Sequence, residues 1–151
     1  GNKKNFNFKN IDGLVITFAG IGNKIKSRKL AFEKYKKNSI SLLFKNASIS
    51  NYCNVSDKGV IIFGQTVVKS FCKIEENTFI NSGMIIGHHL EIKKNTVISI
   101  GVFIGEGAII GEEVFIGMGA KIFQKVKIGK GSIIGAGVIV RKDIPDYSKI
   151  Y

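Results

Sequence analysis

The chain has 151 residues, of which 23 are Lys or Arg, 11 are Asp or Glu and 18 are Gly. This length suits one ordinary domain or two small ones, and a hydrophobic content of 44% excludes a disordered chain. Apolar runs stay far short of the roughly 18 residues of a membrane span, and the N-terminal residues lack the apolar segment of a secretory signal. We therefore expect a soluble, cytoplasmic protein without a membrane span.

Positive charge is concentrated in residues 1–45. This segment contains eleven basic and two acidic residues, so it carries +9 of the formal net charge of +12. The charge fits either an anionic partner, such as a nucleotide phosphate, or a solvated Lys-rich surface. Because no recognition motif or aromatic-interleaved basic stripe accompanies it, we do not expect nucleic acid as a partner.

The same N-terminal residues follow the pattern of one βαβ unit. A buried strand is predicted over 12–18, a glycine turn over 19–23, a helix over 24–37 and a second strand over 40–44. A parallel strand pair needs neighbours and cover on both faces, so this unit is not expected to form a domain alone. We interpret residues 1–45 as the C-terminal part of a small α/β domain whose N-terminal part is absent.

A repeat of six residues dominates the rest of the chain. Fourteen consecutive positions at this spacing are Ile or Val, and a second series of mostly small or β-branched residues stands two positions before each. The first series is Ile62, Val68, Ile74, Ile80, Ile86, Ile92, Ile98, Ile104, Ile110, Ile116, Ile122, Ile128, Ile134 and Val140. Cys72 belongs to the second series, and Cys53 fits it before a one-residue slip near Gly59, so both are predicted to be reduced core residues.

Side chains in a strand return to the same face every two residues, and six is a multiple of two. Both series, which stand two residues apart, therefore point to the same side of a coil of short strands. The repeat therefore predicts a solenoid with a continuous buried column of Ile and Val. Gly follows the Ile at six places, such as Gly87 and Gly105, and we expect these glycines to supply positive φ at the turns.

These hexads resemble those of the hexapeptide-repeat acyltransferases, whose fold is a left-handed parallel β-helix. Three hexads form one triangular coil in that family, so the resemblance implies about five coils over 47–141. The preceding α/β segment, with its turn at 19–23, together with the stretch from Asn81 to His89, is similar to the NeuD/PglD-type sugar acyltransferases. The resemblance implies that residues 1–45 are part of a nucleotide-sugar-binding domain and residues 46–151 are the acyltransferase domain.

The family's catalytic His matches His88, and a family position before it matches Asn81. The resemblance implies acetyl transfer to the amine of a nucleotide-linked 4-amino sugar in bacterial glycan biosynthesis, with His88 as general base. Asn81, His89, Gly22 and Asn23 are the residues expected to bind the substrate. The acidic residue that usually follows the catalytic His is replaced here by His89.

The chemistry of the residues agrees with this assignment. A His with a pKa near 6.5 can take a proton from an amine or hydroxyl at neutral pH, and backbone N–H groups near glycines can stabilise an oxyanion. A spacing of eighteen residues places Glu106 one coil from His88. Glu106 is therefore predicted either to orient His88 or to be a solvated corner residue.

Acetyl-CoA is the expected acyl donor, held in the family along a groove between neighbouring β-helices of a trimer. The matching residues are Gly119, Ala120, Gly137, Arg141 and Lys142, and a homotrimer is expected. Two adjacent His cannot replace the three separated ligands of a metal centre, so no metal is expected. An O-acetyltransferase acting on sialic acid or a related sugar hydroxyl, and a non-catalytic scaffold, are the alternatives.

Overall fold

A computed structural model of the chain describes residues 13–151. Its helix α1 spans Asn23–Tyr35 and is followed by a 3₁₀ turn over Lys36–Asn38. Short strands follow, each two residues long. They are β1 Leu42–Leu43, β2 Ser48–Ile49, β3 Asn54–Val55, β4 Ile61–Ile62, β5 Val67–Val68, β6 Lys73–Ile74, β7 Phe79–Ile80, β8 Ile85–Ile86, β9 Glu91–Ile92, β10 Val97–Ile98, β11 Phe103–Ile104, β12 Ile109–Ile110, β13 Phe115–Ile116, β14 Lys121–Ile122, β15 Lys127–Ile128, β16 Ile133–Ile134, β17 Ile139–Val140 and β18 Lys149–Ile150.

The strands form three parallel sheets, and up to β17 each sheet takes every third strand. The first sheet has the order β1-β4-β7-β10-β13-β16-β18, the second runs from β2 to β17 and the third from β3 to β15. Most strand partners are separated by eighteen residues, as in Val97 with Phe115. The spacing differs in the first coils, where Leu42 pairs with Ile61, and in the last, where Ile133 pairs with Lys149. The predicted parallel β-helix is confirmed, with about six turns rather than about five.

The core lies inside the β-helix as predicted. All fourteen positions of the Ile and Val series are buried. Cys72 is buried as well, and its Sγ donates a hydrogen bond to the Lys69 carbonyl at 3.0 Å. Burial raises the pKa of the Cys72 thiol to about 11, because the apolar interior disfavours the thiolate.

The glycines after the Ile series have a different role from the predicted one. Positive φ occurs two residues later, at thirteen consecutive positions six apart from Gln65 to Gly137, and seven of them are not Gly. Gly87 and Gly105 instead permit close approach of successive coils. A Cβ at Gly87 would lie 2.7 Å from the backbone N of Glu106, and one at Gly105 would lie 2.5 Å from that of Gln124.

The N-terminal segment packs against the outside of the β-helix. The predicted helix is confirmed as α1, whereas the predicted first strand is reduced to one parallel bridge between Leu14 and Ser39. Asp12, where that strand was predicted to start, lies outside the described residues. The predicted second strand over 40–44 is shortened to β1, which pairs with β4, so the β-helix begins before residue 46. The assignment of residues 1–45 to a nucleotide-sugar-binding domain stays a prediction.

Arg28 of α1 is the anchor of this packing. Its side chain is 1% exposed and donates to the carbonyl oxygens of Phe18 and Gly59 at 3.2 Å each, as well as to that of Ile16. Desolvation lowers the pKa of Arg28 to about 10, so the guanidinium remains charged at neutral pH. One side chain therefore joins the N-terminal segment to the first coils.

The substitution Arg28→Met is expected to destabilise the fold by about 2–4 kcal/mol, because the buried carbonyls lose their donor. Chemical denaturation followed by circular dichroism measures this change. Arg141→Met, which removes an exposed guanidinium, is the control and should change stability by less than about 0.5 kcal/mol. Equal effects of the two substitutions would contradict the anchoring role of Arg28.

Cys72 gives the fold a specific pH dependence. Its pKa is raised in the folded protein, so between about pH 8.5 and 11 the unfolded chain loses a proton that the folded chain keeps. Stability should therefore fall with rising pH through this window. Denaturation at several pH values, compared with Cys72→Ala, isolates the contribution, and an identical slope in the variant would refute it.

Candidate functional site

His88 and His89 lie at the corner between the second and third sheets, after β8. Glu106 lies at the same corner one coil later, after β11. Gly87 allows the two coils to approach, since any side chain there would meet the backbone of Glu106. His88 Nε2 lies 2.9 Å from Glu106 Oε2, and both side chains are about half exposed, at 45% and 49%.

His88 also contacts its neighbour in sequence. The Nδ1 atoms of His88 and His89 are 2.9 Å apart, and the two rings are nearly perpendicular, with an interplanar angle of 85°. His89 has a φ of 54°, so the left-handed backbone conformation turns the chain between the two rings. His88 thus lies between Glu106 and His89.

Aromatic rings extend from His89 along this corner toward the N-terminal coils. The centroid of Phe71, one coil earlier, lies 4.7 Å from that of His89, and the centroid of Tyr52 lies 5.6 Å from that of Phe71. Stacking of this kind adds to the burial of each ring and restricts its rotation. The Phe71 contact therefore helps to hold His89 beside His88.

A groove of about 540 Å³ runs from His88 over the outer face of the second sheet. Apolar side chains of β8 and β11 line its floor, and lysines and the His88–Glu106 pair line its edges. The lining residues are Lys69, Ile85, Gly87, His88, Phe103, Ile104, Gly105, Glu106, Lys121, Ile122, Phe123 and Gln124. Around the corner lies a second cavity of about 380 Å³, lined by Lys69, Ser70, Phe71, His88 and His89.

The electrostatics of the groove favour an anionic ligand with an apolar portion. Lys69 and Lys121 line it, and the Arg141 guanidinium lies 5.6 Å from the ring centroid of Phe123, another lining residue. Ile85 and Phe103 are 40% and 45% exposed, which leaves apolar surface available between these cations. The groove can therefore hold an elongated ligand that ends in negative charge.

The predicted coenzyme-binding residues are distributed unevenly around this groove. Gly119 and Gly137 lie at the corner between the first and second sheets, both with positive φ. The side chain of Ala120 is buried in the core of the β-helix, so only its backbone could meet a ligand. Arg141 and Lys142 are exposed after β17, and Arg141 is linked to the groove through Phe123.

The remaining predicted substrate residues lie apart from His88. Asn81 is half-buried after β7, and its Oδ1 accepts a hydrogen bond from the Ser82 backbone N–H at 2.8 Å. It lines a different cavity, together with residues of the N-terminal segment. Gly22 is the N-cap of α1, and Asn23 is its first residue. The structure thus brings His88, His89 and Glu106 together, without Asn81, Gly22 or Asn23.

Sequence reasoning did not select several of the lining residues. Lys69, Lys121 and Phe123 border the groove beside His88. The available signal was the eighteen-residue spacing of outward positions on the second sheet, where Lys121 follows Ile85 and Phe103. The same spacing aligns Gln124 with His88 and Glu106.

Within the described residues we also searched for metal-binding groups and for membrane-spanning helices. No group of three or more His, Cys, Asp or Glu side chains within residues 13–151 is arranged to hold a metal ion. Within the same range, no helix is both long and apolar enough to cross a bilayer.

Comparison with known families identifies the repeat. Residues 107–142 match the family model of the bacterial transferase hexapeptide, six repeats. The resemblance to hexapeptide-repeat proteins is therefore confirmed. A sequence search of curated proteins gives no match.

Several solved structures have the same fold, and an acetyltransferase domain is among them. WeeI from Acinetobacter baumannii AYE is 23% identical with a TM-score of 0.82, and the match covers 94% of this chain and 69% of WeeI. The acetyltransferase domain of PglB from Neisseria gonorrhoeae FA1090 is 24% identical with a TM-score of 0.79, covering 83% of this chain and 62% of that one. PerB from Caulobacter crescentus, solved with CoA and GDP-perosamine, is 24% identical with a TM-score of 0.77, covering 85% and 63%.

These similarities place the chain in the fold expected from its resemblance to the NeuD/PglD-type proteins. The chain spans less than two thirds of the length of the PglB domain and of PerB. At these identities the similarity concerns the fold, so the chemistry of this chain depends on its own residues.

Proposed function

We propose that the protein is an acetyl-CoA-dependent acyltransferase that acetylates an amino sugar. The observation that supports this function best is the contact of His88 with Glu106 at the edge of an open groove. The fold around that groove is also that of PerB, which was solved with CoA and GDP-perosamine. An imidazole beside a carboxylate that can orient it is suited to general-base catalysis.

In the proposed mechanism, the acceptor amine attacks the thioester carbonyl carbon directly. A C–N bond forms, the C–S bond breaks, and the electron pair leaves on the sulfur of coenzyme A. His88 accepts the amine proton, and the Glu106 carboxylate stabilises the imidazolium that results. The imidazolium then gives this proton to the departing thiolate, which restores neutral His88. Cys72 is not suited to act as a nucleophile, because burial raises its pKa to about 11.

The groove over the second sheet suits the acyl donor. The apolar pantetheine arm would lie against Ile85 and Phe103, with its thioester near His88. The phosphates of coenzyme A would meet Lys121, Arg141 and Lys142, since charge-assisted contacts to phosphate are strong. Small residues at the neighbouring corner, including Gly119 and Gly137, would permit close backbone approach.

A homotrimer is part of this proposal. An outward column of apolar side chains on the second sheet, Val67, Ile85, Phe103 and Ile139, is between 38% and 48% exposed. A neighbouring copy would cover part of this column and supply the opposite wall of the donor groove. A monomer mass in light scattering at micromolar concentration would contradict the shared groove.

The acceptor is proposed to be a nucleotide-linked 4-amino sugar, and the proposed compartment is the cytoplasm. The basic residues of α1 and the turn before it would attract the nucleotide, with Gly22, Asn23 and Asn81 as proposed contacts. A sugar hydroxyl, as in sialic acid, is the alternative acceptor, because an oriented imidazole can activate either group.

Acetyl transfer can be measured as thiol release from acetyl-CoA with GDP-perosamine and, separately, with a sialic acid. His88→Ala is expected to lower kcat at least a hundredfold, because the proton acceptor is lost. Its melting temperature should stay close to that of the wild type, since the side chain is half exposed. Unchanged kcat in a folded His88→Ala protein would overturn the assignment, and no transfer by the wild type would favour a scaffold.

Donor binding gives an independent prediction. Acetyl-CoA should raise the melting temperature of the wild type by mass action. The double variant Lys121→Ala/Arg141→Ala should bind acetyl-CoA at least about tenfold more weakly, because two phosphate contacts are lost. Lys34→Ala on α1 removes a positive charge far from the groove and is the control. Equal thermal shifts in the double variant and the control would argue against this donor site.

A further inference from the structure

Two thiols lie on the inside of the corner whose outer side carries His88. Cys53 and Cys72 directly precede β3 and β6, and the register of these strands pairs Asn54 with Lys73. Cys53 and Cys72 are therefore opposite each other in successive coils, and the Asn54 backbone N–H donates to the Cys72 carbonyl at 2.9 Å. Opposite residues of neighbouring strands lie about 4.8 Å apart, within the range of roughly 4.4–6.8 Å that disulfides span between Cα atoms. The backbone thus permits a bond between the two sulfurs.

The two sulfur atoms also lie close to one common acceptor. Cys53 Sγ is 2.9 Å and Cys72 Sγ is 3.0 Å from the carbonyl oxygen of Lys69. Both side chains pack in the core of the β-helix, so they share the same interior space. Cys72 Sγ is in addition 2.9 Å from the carbonyl oxygen of Gly87, which belongs to the peptide that leads into His88. The pair is therefore in direct contact with the backbone of the candidate site.

The two thiols differ in their access to solvent. Cys53 is half-buried, and β3 is the terminal strand of the third sheet, so within residues 13–151 no further strand stacks on its N-terminal side. Cys72 is 2% exposed and lies between two coils. A small reagent in solution can therefore meet Cys53 first, whereas Cys72 can react only with a group that Cys53 already carries.

From this placement we propose that Cys53 and Cys72 are a site of disulfide formation, with glutathione disulfide or a similar small disulfide as oxidant. The Cys53 thiolate attacks one sulfur of glutathione disulfide, a mixed disulfide forms, and one glutathione leaves as its thiolate. The Cys72 thiolate then attacks Sγ of Cys53, the bond between the coils forms, and the second glutathione leaves. The two protein thiols are oxidised by two electrons, and glutathione disulfide is reduced to two glutathione thiols.

The bond acts on the corner that carries His88. A disulfide sulfur has no proton, so neither sulfur can still donate to the carbonyls of Lys69 and Gly87. Lys69 lines both the donor groove and the second cavity, and Gly87 lines the groove beside His88. This effect on the reaction rests on the proposed acyltransferase function. A shift of about 1 Å in a catalytic group can cost up to about a hundredfold in rate.

Threonine provides a matched control for each thiol. At equivalent inward positions of other corners, Thr66 Oγ1 donates to the Asn81 carbonyl at 3.0 Å and Thr96 Oγ1 donates to the Gly111 carbonyl at 2.8 Å. The variants Cys53→Thr and Cys72→Thr therefore keep a hydrogen-bond donor inside the corner but remove one sulfur. Both variants are expected to fold and to retain the kcat of the reduced wild type within about twofold.

The thiol chemistry can be tested without a substrate, by mass spectrometry of the folded protein after incubation with excess glutathione disulfide. The wild type should lose two hydrogen atoms, and after denaturation neither Cys should react with iodoacetamide until dithiothreitol is added. Cys72→Thr should keep one glutathione on Cys53, and Cys53→Thr should not react. Because burial raises the pKa of Cys72 to about 11, closure of the mixed disulfide should be about tenfold faster at pH 9 than at pH 8. A wild type that keeps both thiols, stops at the mixed disulfide or forms bonds between chains would overturn the proposal.

The effect on the site has two readouts. The chain has two His, so the imidazole ¹H–¹⁵N signals of His88 can be assigned with one variant of each, and they should shift when the wild type is oxidised. With acetyl-CoA and GDP-perosamine, kcat of the oxidised wild type should fall at least about threefold. Cys53→Thr, treated in the same way, should show neither change.

The outcomes separate the disulfide from the acyltransferase function. Unchanged His88 signals in the oxidised wild type would refute the link to the site, and a full kcat would refute the effect on the reaction. Absence of transfer by the reduced wild type would refute the function, while the protein masses and the His88 signals still decide the disulfide and its link to the corner.

Discussion

Hydrogen bonding between successive coils is the constraint on which the site depends. The backbone N–H of one coil donates to a carbonyl of the next, as in Val97 to Val114 at 2.9 Å and Gly105 to Ile122 at 2.8 Å. This pairing fixes the strand spacing at about 4.8 Å and the repeat at eighteen residues over most of the β-helix. Residues eighteen apart are therefore neighbours, and the pairing of His88 with Glu106 follows directly from the stacking.

The corners of the β-helix contain two kinds of position with different backbone requirements. One position needs Gly because the next coil passes within contact distance, as at Gly87. The other has a left-handed conformation and accepts residues other than Gly, such as Phe71, His89 and Asn95. A non-Gly residue there costs about 1–2 kcal/mol in backbone strain, which the hydrogen-bonded coils on either side can bear. His89 lies at such a position, next to His88.

The repeat made the fold and part of the site predictable. Six-residue periodicity determines which side chains point inward, so the buried column could be read from Ile62 onward, and the eighteen-residue spacing brought Glu106 to His88. Periodicity does not determine side-chain rotamers, so the contact between the two Nδ1 atoms could not be predicted. The partner of β1 was also missed, because a short apolar run such as Leu42–Leu43 fits an α/β sheet and a β-helix equally well.

Helix α1 and the His pair lie at different corners, and this separation has a physical consequence. The polar contacts of α1 and of the 3₁₀ turn after it reach Glu76, Asn77 and Glu113, all at the corner between the third and first sheets. The corner with His88 and His89 remains open, and its rings are held by the stack from Tyr52 and Phe71. Free-energy changes at distant sites without shared partners are additive. The packing of the N-terminal segment can therefore change in strength without moving the His rings, while the coil spacing at Gly87 affects both the stability of the β-helix and the geometry of the site.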